Sequence, residues 1–147
     1  MENATKDLAD HAVGFAKINE KNNVEDALLG GSGSLVSVEG RHAILTADHV
    51  LDNLPDTGTV GLILPTRFQA QMHRVTLDMD LCIKIRIARG KVKSEGPDLG
   101  ALLLPEPIVS IVESLKGFYN LSKRQKLFCS APTIDLGVWV LCGMVHE

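Results

Sequence analysis

Apolar residues along this chain come in short runs broken by glycine, proline and polar turns. That is the pattern of strands rather than of long helices. Ala12-Val13-Gly14-Phe15-Ala16-Lys17-Ile18 predicts a first strand, followed by a polar loop from Asn19 to Glu25. Residues 27–38 predict a second, interrupted by glycines at 30, 31 and 33. Glycines inside a strand mark a bulge or a close backbone approach. Glu39-Gly40-Arg41 is a hairpin signal leading into a strand over 43–46, and Thr59 to Leu64 forms another run ended by Pro65. The cleanest alternation is Leu81 to Ala88, where Ile83, Ile85 and Ile87 interleave with Cys82, Lys84 and Arg86. It predicts a half-buried strand with the isoleucines inward. Leu102-Leu103-Leu104 predicts a short buried strand stopped by Pro105, and residues 137–145, with Trp139, Val140 and Leu141, predict a last one.

One segment follows a helical period instead. Ile108, Ile111, Val112 and Leu115 fall on one helical face after Pro107, and Gly117 stands where a helix would end, so 107–116 predicts a helix. Phe118 to Pro132 reads as a connector whose basic cluster, Lys123, Arg124 and Lys126, is a solvated face. Many short strands with glycine turns predict an all-β barrel or sandwich.

The bulk numbers suit one packed domain: 147 residues, 45% hydrophobic and 22% charged. The net charge of -3 comes with no basic patch, which argues against nucleic acid as a partner. The apolar runs are too short to cross a bilayer, which argues against a membrane. The polar start, Met1 to Asp7, lacks the pattern of a signal peptide. Cys82, Cys129 and Cys142 show no CxxC spacing and read as buried free thiols, so the expected location is cytoplasmic. His42, His49 and His73 have no metal-ligand spacing, and no metal or cofactor is expected.

The candidate chemistry lies in Thr46-Ala47-Asp48-His49, which closes an apolar strand, and in Asp98-Leu99-Gly100-Ala101-Leu102-Leu103. A histidine titrates close to neutral pH and suits a general base. An aspartate fixed at the edge of a core suits the group that orients it. Ser32 and Ser34 read as structural residues of a strand, and Cys129 and Cys142 as packing residues.

Gly31-Ser32-Gly33-Ser34-Leu35-Val36, followed by Ile44-Leu45-Thr46-Ala47-Asp48-His49-Val50-Leu51, resembles the trypsin-like serine protease family. In that family a G-S/T-G-x-L/F-V strand precedes an I-L-T-A-A-H-V turn, and a D-L/I-A-L-L motif follows. The resemblance implies a six-stranded antiparallel Greek-key barrel over 12–105, after a tail at 1–11. It implies a short helix and inter-barrel connector over 106–132, and the first strand of an incomplete second barrel over 133–147. It implies peptide-bond hydrolysis through an acyl-enzyme, with His49 as base and Asp98 as its orienter, acting on a peptide or protein substrate.

Two departures accompany the resemblance. Asp48 stands where the family has alanine, which sets a negative charge beside the base. No serine lies in G-x-S-G-G, and the family's two-barrel unit needs about 200–250 residues. The expectation is a protease fragment inactive alone. The alternatives are a non-catalytic protease-like binding module and a barrel that self-associates through an exposed C-terminal strand.

Overall fold

The computed structural model describes residues 9–21, 24–66, 71–89 and 97–130. Eight strands form one sheet: β1 (Ala12–Lys21), β2 (Val24–Val38), β3 (Arg41–Thr46), β4 (Thr59–Pro65), β5 (Met72–Asp78), β6 (Ile83–Arg89), β7 (Asp98–Leu103) and β8 (Tyr119–Asn120). Three helices are interleaved with them: α1 (Asp48–Asn53), α2 (Glu106–Leu115) and α3 (Leu121–Ser130). A 3-10 turn, Met79–Leu81, joins β5 to β6.

Seven strands run in the order β5-β4-β1-β2-β3-β7-β6, and β8 pairs with β2 off this path. The β2–β8 pair is parallel and the other ladders are antiparallel, so the sheet is mixed. β5 and β6 are its two ends. Among the described residues no ladder joins them, and the sheet stays open.

Strand alternation builds the core on one face. Val60, Leu62 and Leu64 of β4 are buried together with Val75 and Leu77 of β5, Val13 and Phe15 of β1, Leu35, Ile44 and Leu102. Leu51 and Leu54 from around α1, and Val109 and Val112 from α2, cover that face. Each such side chain contributes roughly 1.5–3 kcal/mol by leaving water.

Helix α2 begins after Pro105 with Pro107 in its first turn. Ile111 and Leu115, assigned by period to its apolar face, lie exposed. Lys116 Nζ donates to the carbonyls of Ala9 (2.6 Å) and Ala12 (2.7 Å), and His42 Nε2 meets Glu113 Oε1 at 3.2 Å. These contacts tie the helix to the sheet without help from the exposed residues.

The structure corrects several expectations. The closed six-stranded barrel with one helix is replaced by one open eight-stranded sheet with three helices. The 3-10 turn gives the local reason. Asp78 Oδ1 accepts the Asp80 amide, and the Met79 amide bonds to Gly58 O, so the turn is anchored at the head of β4. The chain leaves it toward β7 rather than folding back on β5 as a hairpin. The residues after Ala47 form helix α1, and the expected connector contains α3, whose Lys123 amide is capped by Asn120 Oδ1 (2.8 Å). Cys129 is exposed rather than buried. The predicted strand at 137–145 lies outside the described residues.

The largest correction concerns β6. Lys84 pairs across the ladder with Leu102 and Arg86 with Gly100, so the cations share the core face. Ile83 and Ile85 point the other way, 58% and 42% exposed, and Ile87, 54% exposed, sits at a bulge between Arg86 and Ala88.

Leu62 is fully buried and pairs with Phe15 on one side and Val75 on the other. Leu62→Ala should therefore cost about 2–5 kcal/mol, read from urea unfolding midpoints. A loss under about 0.5 kcal/mol, the size of an ordinary surface substitution, would contradict this placement of the core.

Candidate functional site

Thr46 ends β3 and is buried, with its hydroxyl donating to Ser32 O at 2.6 Å. The chain then turns directly into α1. Its N-cap residue, Ala47, has no side chain able to accept a backbone N–H. The first amides of a helix need acceptors from elsewhere. Asp98, at the start of β7, supplies one: its Oδ1 accepts the His49 amide at 3.1 Å.

Successive residues of a helix lie about 100° apart around its axis, so Asp48 and His49 face different surroundings. Asp48 points inward and is 2% exposed. Both of its oxygens accept from Arg86 Nη1 at 2.9 Å, and Oδ2 also accepts from Arg89 Nε at 3.1 Å. One helical turn on, Asp52 accepts from Arg86 Nη2 and, at 3.2 Å, from Arg89 Nη2. Lys84 closes the set, donating to Leu54 O at 2.8 Å and to Asp56 Oδ1 at 2.6 Å. Thus β6 grips α1 at its start, its middle and its C-terminal end.

Two glycines let α1 lie this close to the sheet. A Cβ on Gly100 would stand 2.5 Å from Leu51 Cδ1 and 3.2 Å from Ile85 O. A Cβ on Gly31 would stand 2.7 Å from Val50 Cγ1, and its φ of 138° is a conformation that side chains disfavour.

His49 points outward, with its side chain 56% exposed. Its Nδ1 hydrogen-bonds Asp98 Oδ2. That bond is the main cause holding the Asp98 carboxyl below the ordinary aspartate value of 3.8. Backbone N–H groups of His49 and Asp48 add to it, while partial desolvation opposes it. Asp98 is therefore ionised at neutral pH, and Nδ1 carries the proton donated to it. Nε2 is left as an acceptor facing solvent.

The two residues singled out in the sequence are thus brought together. Asp48 is not directed at the imidazole as its position suggested, because the arginines take its carboxylate. Ser32 and Ser34 lie on β2, and the hydroxyls form no hydrogen bond with His49 among the described residues. His42 packs edge-to-face on Phe118 and His73 lies on β5. Among the described residues no group of three His, Cys, Asp or Glu side chains is arranged to hold a metal. The Cys82 thiol is half-buried and pushed up to about 11 by burial and by Asp78, which makes it a poor nucleophile at neutral pH. The Asp48–Asp52–Arg86–Arg89 network was not anticipated. Its signal was the spacing of Asp48 and Asp52, which one helical turn sets on a single face.

The trypsin-like reading does not survive the open sheet, and the protease fragment, the protease-like binding module and the self-associating barrel fall with it. Comparison with family models, curated proteins and solved structures finds no match to the chain. Among the described residues no helix is long and apolar enough to cross a membrane.

Two predictions follow from the geometry. Gly100→Ala should destabilise the fold by about 1–3 kcal/mol, because the fully buried Leu51 must shift to admit a Cβ that also crowds the Ile85 carbonyl at 3.2 Å. Urea unfolding reads this, and an unchanged midpoint would contradict it. The second concerns acid. Asp98 is lowered chiefly by His49, and Asp52 and Asp56 chiefly by hydrogen bonds from Arg86 and Lys84. Their lowered folded values mean that the unfolded chain binds more protons as pH falls through 3.8. The stabilisation is complete above that region and is lost as pH falls through the folded values. Asp98→Asn should flatten this acid limb of stability against pH, modestly, because solvent screens the site. An unchanged slope would contradict the assignment.

Proposed function

We propose that His49 and Asp98 form an acid–base pair that exchanges protons with a ligand bound over the exposed end of α1. The carrying observation is that one carboxylate holds both the backbone N–H and the Nδ1 of the same histidine, leaving Nε2 toward solvent. Such a carboxylate fixes the tautomer and orientation of the imidazole and stabilises the cation formed when Nε2 takes a proton. The reaction class is proton abstraction from a hydroxyl or a water carried in by the ligand. Nucleophile and ligand both come from outside the described residues.

A second reading has its own support. Asp98 accepts backbone N–H groups at the start of a helix whose cap residue offers no side chain, the arrangement of a purely structural cap. The two readings separate in one experiment. Hydrolysis of p-nitrophenyl acetate is followed for the wild-type chain, His49→Gln and Asp98→Asn, with unfolding midpoints measured alongside. The acid–base pair predicts that His49→Gln lowers the His49-dependent rate by about 10²-fold while the midpoint hardly moves. Rates equal to wild type in His49→Gln would leave only the cap.

A further inference from the structure

Four of the eight large apolar side chains exposed among the described residues lie in one stretch: Leu81 (59%), Ile83, Ile85 and Ile87. Ladder register extends two of them into rows on the side of the sheet opposite the core. Ile83 lies beside Leu103 and then Ala43, and Ile85 beside Ala101 and then Leu45. β6 is also a terminal strand, with no ladder partner on its other side among the described residues. An apolar edge of this kind attracts another strand.

We propose that the strand that adds here is β6 of a second copy of this chain, giving a reversible two-fold dimer in which two sheets join edge to edge. Symmetry favours this occupant. Two copies of one strand related by a two-fold axis normal to the sheet run antiparallel, and each side of the sheet stays on its own side. With that axis at Lys84, Ile83 of each copy lies beside Ile85 of the other. The outward apolar rows then continue across the seam. Charge permits the approach. Cations on an edge strand ordinarily repel a copy of themselves. On β6, Lys84, Arg86 and Arg89 are matched within the chain by Asp56, Asp48 and Asp52. Three positive charges meet three negative ones, so this set leaves the edge with no net charge. The two Lys84 that meet at the axis are each already engaged by Leu54 O and Asp56. The length of the contact sets its strength. The bulge between Arg86 and Ala88 ends the regular part of the edge, which leaves Ile83 to Arg86 to pair. So short a seam falls below the roughly 800 Å² a side of a standard interface, and the dimer dissociates on dilution.

Sedimentation velocity on the full chain, over a wide range of protein concentration, reads the mass. The proposal predicts a shift from one chain mass to two as concentration rises. Ile83→Lys and Ile85→Lys each set a new cation against the opposite edge. Each should weaken dimerisation by about tenfold or more while far-UV circular dichroism is retained. Ile111→Lys, at a similarly exposed position on α2, is the control and should dimerise like the wild type. Amide hydrogen exchange on the wild type gives a second readout that needs no variant: β6 amides gain protection as concentration rises, and β5 amides do not. A wild-type chain that stays monomeric at every concentration would overturn the proposal. So would a dimer equally strong in both β6 variants, or one lost in Ile111→Lys. β6 amides indifferent to concentration would overturn it too, and growth past two copies would contradict a closed two-fold pair.

Discussion

The buried carboxylate of Asp48 sets the terms for the rest of this structure. An ionised group 2% exposed is tolerated only with counter-charges and hydrogen bonds. Arg86 and Arg89 supply both. To reach Asp48 they must leave β6 on the side of α1, which is also the core face. Period-two geometry then sends Ile83 and Ile85 to the opposite face. The helix that presents His49 and the apolar stripe that faces solvent are two consequences of one ion pair.

Such a pair is weak evidence for net stability, because desolvating both partners offsets much of their attraction. Its contribution is better described as orientation. Lys84 and the two arginines fix α1 at several points, while Leu51 seats on Gly100 and Val50 on Gly31. With the helix fixed, the His49 amide and imidazole both fall on Asp98. The arrangement around His49 therefore rests on residues three strands and one helix away from each other in sequence.

Much of the sheet was legible in the sequence. The runs at 12–18, 43–46 and 59–64 are strands, because their alternation and their flanking turn residues are local properties. Pairing of His49 with Asp98 was legible from motif order. What escaped was non-local. Nothing in the isoleucine pattern of 81–88 reveals that an aspartate about forty residues earlier draws Arg86 to the inner face. Nothing in short strands with glycine turns reveals which edges meet, so an open mixed sheet and a closed barrel look alike at that level. Met72–Asp78 was not read as a strand, since His73, Arg74 and Thr76 dilute its two buried residues, Val75 and Leu77. The close approach of Leu51 to Gly100 escaped as well, because it exists only in three dimensions.

The account depends most on the coupling between Asp48 and Arg86, and a double-mutant cycle measures it. Unfolding free energies of the wild type, Asp48→Ala, Arg86→Ala and the double variant give the interaction energy. The account predicts a coupling above about 1 kcal/mol, as expected for partners in one buried network. Additive losses, with a coupling near zero, would contradict it.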